Sequence, residues 1–177
     1  MIVLKYFFYF PLLIRFLNSE KKDIIIKDLL LGKPIVPAEI NTLFINRIST
    51  DKYFRTIFYF RTQGFYTNVL RVLYPKEKYF IIDIHSKIGG GLNAAHPYAT
   101  IINAASIGEN LYINHLVTIG EKKGKKPTIG HNVELHANCS VIGDIIIGNN
   151  VVIGAGTVVT KDIPDDTIVV GAANRFL

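Results

Sequence analysis

Residues 145–160 read IIIGNNVVIGAGTVVT. Ile147, Ile153 and Val159 recur every six residues, glycine follows the first two at Gly148 and Gly154, and Ile145, Val151 and Thr157 keep the same step. A period of six belongs neither to a helix, which repeats every 3.6 residues, nor to a plain strand, which repeats every two. It demands a chain that makes a short strand, bends, and makes another, so that each aliphatic residue stacks on its equivalent one coil away.

The step extends upstream through Ile129, Leu135 and Val141, and before them through Ile101, Ile107, Ile113 and Ile119. Ile82 and Ile88 begin the series, and Ala95 resumes it after one extra residue. Glycine recurs behind the aliphatic position at Gly89, Gly108, Gly120 and Gly130. Four residues past it stand small or apolar side chains: Ser86, Leu92, Ala105, Leu111, Val117, Val133 and Cys139. Three hexads close a triangular coil, so thirteen hexads predict a little over four coils. The reading is mainly β: a left-handed parallel β-helix over residues 81–177. Ile119 to Ile129 spans ten residues, and the surplus in Glu121–Thr128 (EKKGKKPT) must loop out. Loops on rigid scaffolds often carry function.

Residues 1–80 read instead as a small α-helical region. Residues 20–31 suit a helix ending before Gly32–Lys33–Pro34, and another begins near Pro37. A longer helical stretch over 51–74 carries Phe54, Phe58, Tyr66, Leu70 and Leu73, with Ser49 or Thr50 as N-cap and Asp51 near the positive dipole end. Residues 2–17 (IVLKYFFYFPLLIRFL) are strongly apolar but interrupted by Lys5, Pro11 and Arg15, too broken for a span of about 20 apolar residues. They lack the marks of a secretory leader. They fit a helix packed in a core or interface, or a peripheral membrane contact.

Of 177 residues, 49% are hydrophobic and 19% charged, which excludes a disordered chain. The single cysteine, Cys139, excludes an internal disulfide and suits a reducing cytoplasm. The net charge of +6 points to an anionic partner, yet no nucleic-acid motif is present.

The motifs DIHSKIGGGLNAAHP (83–97), INHLVTIG (113–120), the loop before PTIG (127–130) and IGAGTVVTKDIPDDTIVVG (153–171) resemble the hexapeptide acyltransferases. The resemblance is to the branch that holds serine O-acetyltransferases and polysaccharide O-acetyltransferases, and it covers residues 79–177. It implies acetyl-CoA as co-substrate, a hydroxyl acceptor and no metal. It also implies a homotrimer whose active sites lie between prisms, with the N-terminal helices available to pair two trimers. The single cysteine and the apolar residues 2–17, rather than the resemblance, suit the cytoplasm or the inner face of its membrane.

The resemblance carries the catalytic histidine onto His96 and its orienting carboxylate onto Asp83. An imidazole in hydrogen-bond reach takes the proton of a hydroxyl as it attacks a thioester, and a carboxylate on the other ring nitrogen fixes the tautomer. The plainer readings are a turn histidine and a turn aspartate. His85, His115 and Lys126 are candidates for the acceptor site. Gly120, Ala137 and Ala155 match positions where a small side chain admits the pantetheine arm, and Lys161 suits a CoA phosphate.

Departures bear on the acceptor. Serine acetyltransferases carry an aspartate where this chain has Ala95, and an Arg–His pair where it has Lys125–Lys126. These changes favour a sugar hydroxyl over free serine. The terminal GAANRFL departs from the family's GVPAR. Two rival readings remain: a zinc enzyme like the gamma-class carbonic anhydrases, using His96, His131 and His136, and an inactive scaffold.

Overall fold

The computed structural model describes residues 2–34 and 36–171. Five helices come first: α1 (Ile2–Leu17), α2 (Lys22–Leu30), α3 (Ile40–Thr50), α4 (Lys52–Arg61) and α5 (Phe65–Leu73), with a 3₁₀ turn at Pro37–Glu39. The stretch 51–74 is therefore two helices, not one. Gly64 divides it with φ of 117°, a value open to glycine and costly for other residues. Asp51, rather than Ser49 or Thr50, is the N-cap of α4: its carboxylate accepts from the amides of Tyr53 (2.8 Å) and Phe54 (3.0 Å).

From Phe80 the chain winds as a parallel β-solenoid of about five turns. The first face holds β1 (Phe80–Ile82), β4 (Thr100–Ile102), β7 (Thr118–Gly120), β10 (Ser140–Ile142) and β13 (Val158–Val159). The second holds β2 (Lys87–Ile88), β5 (Ser106–Ile107), β8 (Thr128–Ile129) and β11 (Ile146–Ile147). The third holds β3 (Asn93–Ala94), β6 (Tyr112–Ile113), β9 (Glu134–Leu135), β12 (Val152–Ile153) and β14 (Ile168–Val169). Isoleucine, leucine and valine stack in register: Ile107 pairs with Ile129, which pairs with Ile147.

The solenoid runs to about five turns rather than a little over four, because a shortened step after Val159 hides its last two sides from a period of six. Val159 to Ile163 is four residues, after which Ile163 bridges Ile147 and Val169 pairs with Ile153, six residues further on. The second coil also slips by one against the period. Ile102 is buried and pairs with Ile119, whereas Ile101 points outward; Ala104, not Ala105, fills the bend. Likewise Ala94, not Ala95, pairs with Ile113. The cause is the wide turn after β3, where His96 and Ala99 both take positive φ and delay the next strand.

The repeated glycines of the second edge, between second and third faces, answer to crowding. A Cβ on Gly108 would lie 2.7 Å from the carbonyl group of Gly130, and one on Gly130 equally close to that of Gly148. Asparagines finish the same edge: Asn110, Asn132 and Asn150 take positive φ, and their amides bond in a ladder at 3.0 Å per step.

Helices and solenoid share buried contacts. Ile57 and Phe60 of α4 enter the solenoid core. The Arg61 guanidinium meets the Asp28 carboxylate at 2.9 Å, both fully or nearly buried, and also donates to the carbonyls of Ile88 and Gly89. Asp28 in turn accepts from the amide of Leu92 at 2.9 Å.

Candidate active site

The three-sided winding sorts the predicted site residues onto two edges. On the first edge, between first and second faces, stand Asp83, His85, the loop 121–127 with Lys126, and Lys161. On the third edge, between third and first faces, stand His96, His115, Ala137 and Ala155. Gly120 ends β7, at the opposite end of the first face from the edge that holds Ala137 and Ala155.

The first edge is organised around Asp83. Its carboxylate accepts from the amide of His85 at 2.9 Å, an Asx turn that fixes the corner. The Lys126 ammonium approaches the same oxygen at 3.4 Å. Burial alone would raise the Asp83 pKa, but the His85 amide and Lys126 outweigh it and hold the carboxyl below its ordinary value of 3.8. Lys126 gets there because the surplus residues form a hairpin. Lys122 and Lys125 bridge in antiparallel fashion around Lys123 and Gly124, which both have positive φ. Lys125 pairs with Asp144 across the corner. The loop's lysines are thus partly committed to carboxylates rather than merely solvated.

The third edge is a column of exposed turns tied coil to coil. The amide of Leu116 donates to the Tyr98 carbonyl at 2.9 Å, that of Asn138 to His115 at 3.0 Å, and that of Gly156 to Ala137 at 2.9 Å. His96 lies exposed at the head of the column, its carbonyl accepting from the Tyr98 amide at 2.7 Å. The His115 ring nitrogen Nδ1 lies 2.7 Å from the Asn114 carboxamide oxygen. Among the described residues, no hydrogen bond or ion pair joins His96 to Asp83 within the chain. The two sit on different edges of one prism.

Two features escaped the sequence reading. Asn103 sits on the first edge one coil beyond Asp83, and its buried Oδ1 has no hydrogen-bond partner among the described residues. Tyr79 and Tyr98 meet with ring centroids 5.3 Å apart and planes tilted by 58°, each about half exposed, with Tyr98 two residues from His96. Tyr98 is signalled only by adjacency to His96–Pro97; Tyr79 is brought to it by the coil repeat.

The three histidines weighed for zinc are dispersed. The Nδ1 of His131 accepts from the Glu109 amide on the second edge, and His136 faces Glu134 at 3.5 Å. Among the described residues no group of three potential ligands gathers. The chain's terminal departure from the GVPAR pattern lies, beyond Gly171, outside the described residues.

Comparison with known proteins agrees with the architecture. The family described as bacterial transferase hexapeptide (six repeats) matches residues 126–161. A serine acetyltransferase of Synechococcus elongatus is 38% identical over 103 residues, covering 54% of this chain and 42% of that protein. An Escherichia coli K12 protein, named provisionally as the colanic acid biosynthesis acetyltransferase WcaB, is 42% identical over 98 residues, covering 53% of this chain and 60% of that one. The crystal structure of Neisseria gonorrhoeae serine acetyltransferase superposes with a TM-score of 0.66 at 27% identity, over 86% of this chain and 63% of that one. The chain spans between two-fifths and two-thirds of the length of these three proteins. Its solenoid half is thus similar in sequence both to a serine acetyltransferase and to a protein provisionally named for colanic acid biosynthesis, and residues 126–161 within it match the hexapeptide-repeat model.

Proposed function

We propose that this chain is an acetyl-CoA-dependent O-acetyltransferase that acts on a sugar hydroxyl of a surface polysaccharide or its precursor. The observation that carries the reading is the likeness of a hexapeptide solenoid to proteins named as acetyltransferases, at 38–42% identity. In the proposed reaction His96 accepts the acceptor's hydroxyl proton as its oxygen attacks the thioester carbonyl. The tetrahedral adduct collapses, the C–S bond breaks, and His96 returns the proton to the departing thiolate. No acyl-enzyme forms.

Asp83 would orient the imidazole across an interface, because it sits on another edge of its own prism. A homotrimer that sets the first edge of one copy against the third edge of the next supplies that arrangement. Lys126 and His85 would then face the acceptor with His115. Gly120, Ala137 and Ala155 would admit the pantetheine arm, with Lys161 toward a CoA phosphate. The half-exposed, tilted Tyr79–Tyr98 pair near His96 supports a sugar, whose apolar face suits an exposed aromatic ring.

A second reading, serine as acceptor, is favoured by the likeness to serine acetyltransferases. Ala95 weighs against it, since it offers no anion to an ammonium. The proposal places the protein in the cytoplasm, with α1 resting on the membrane surface. Support comes from exposed Leu4, Phe7, Phe8 and Phe10 and from the absence of acidic residues in positions 2–19. No helix among the described residues is long and apolar enough to cross a membrane. Acetyl transfer from acetyl-CoA to sugars and to serine, with products identified by NMR, tests the reading.

A further inference from the structure

A cavity of about 290 Å³ lies where α4 and α5 meet the first coil, just below the small-molecule range of about 300–1,000 Å³. One wall is apolar, from Phe60, Ile82 and Ile84. The other carries Arg71 and Lys76, and no aspartate or glutamate lines the space.

These two cations are poorly compensated. Arg71 contacts only the carboxamide oxygen of Asn68, at 3.4 Å, among its side-chain hydrogen bonds in the described residues. The nearest acid in sequence, Glu77, is engaged elsewhere: its Oε1 accepts from the amides of Lys78 and Tyr79. Burial, and then the charge of Arg71, hold the Lys76 ammonium below its ordinary value of 10.5. Lys76 is partly withdrawn from water and Arg71 lines the same space from an exposed position, so the two like charges repel each other until an anion enters. A guanidinium fork beside an ammonium suits a phosphate better than a single carboxylate, because both cations can be satisfied at once. The apolar wall suits what the phosphate carries.

We propose that this cavity binds the phosphate of a phosphorylated sugar. Ile82 and Ile84 flank Asp83 in the chain, so the cavity adjoins the first edge of the candidate active site. Gln63, another lining residue, reaches the Ile84 carbonyl at 3.5 Å and ties the helices to that corner. Assigning the sugar phosphate as acceptor rests on the acetyl-transfer reading; phosphate binding itself does not.

The test is calorimetric titration of the full chain with glucose 1-phosphate, inorganic phosphate and glucose, alongside sedimentation with phosphatidylglycerol vesicles. Arg71→Gln/Lys76→Gln, checked for native circular dichroism, should weaken phosphate binding at least about tenfold, the loss of roughly one charge-assisted contact or more. Lys76→Arg should retain it. Binding only to vesicles, lost in the double variant, would make a lipid the phosphate's carrier and overturn the sugar-phosphate assignment. Binding that the double variant retains, glucose bound as well as glucose 1-phosphate, or no saturable binding to any probe would overturn it. None of these measurements uses acetyl-CoA. A chain that binds glucose 1-phosphate here yet acetylates no sugar keeps this site and loses the proposed reaction.

Discussion

The Lys126 ammonium stands 3.4 Å from the Asp83 carboxylate, so the hairpin that interrupts the hexad series folds back onto the first coil of the solenoid. The pair defines one edge of the prism, and His96 belongs to another. The proposed site residues thus occur in one chain, but not side by side.

Lys126→Met should raise the Asp83 pKa toward its ordinary value. The sign follows from the shift. A depressed carboxyl keeps its charge from neutral pH down through the ordinary range and loses it only below 3.8, so removing the cation moves protonation to higher pH. A carbon-13 NMR titration of the Asp83 carboxyl reads this directly. An unmoved midpoint would mean that the Lys126 contact contributes nothing to the corner.

His96→Ala should leave circular dichroism and thermal unfolding unchanged, since the side chain is exposed. Acetyl transfer should fall by about 100-fold or more, the scale of losing general-base assistance. Steady-state rates with the true acceptor measure it, and wild-type turnover would remove His96 from its role.

Asp28→Ala strands the Arg61 guanidinium in a site where the arginine is 5% exposed. Breaking one side of a buried pair costs about 3–5 kcal/mol. Urea unfolding should show that loss. Asp28→Ala combined with Arg61→Met should recover part of it, because no unpaired charge remains. An undiminished midpoint in the single variant would mean the junction is not held by this pair.

Light scattering at micromolar concentration should return the mass of a trimer or a multiple of it, since the proposed site needs a first edge and a third edge from different copies. A monomer that still transfers acetyl groups would contradict the intersubunit arrangement.

Much of this was legible in the sequence because the solenoid writes its period into every coil. Ile129, Leu135, Val141, Ile147 and Ile153 fall where the step of six puts them. The reading slipped at Ile101, because Ile102 is equally aliphatic and a period cannot choose between neighbours. What chose was the wide turn at His96 and Ala99, a backbone feature that no residue type there announces. Gly64 was overlooked for the opposite reason: helical spacing continues across it, and only its φ reveals the break. The site was legible as residues and not as geometry. Which edge each corner occupies follows from counting hexads in threes, a count the one-residue slip leaves unchanged, but how edges of separate copies meet is not written in one chain's period.

The most direct measurement is acetyl transfer itself: release of CoA thiol from acetyl-CoA in the presence of serine, neutral sugars and phosphorylated sugars, with NMR of the acetylated product. An unpaired ammonium entering a desolvated site costs several kcal/mol, and Ala95 offers nothing to offset it, so serine should be a weak or inert acceptor. The account predicts acetylation of a sugar hydroxyl that His96→Ala abolishes. Saturable acetylation of serine at millimolar or lower concentration, with every sugar inert, would contradict it.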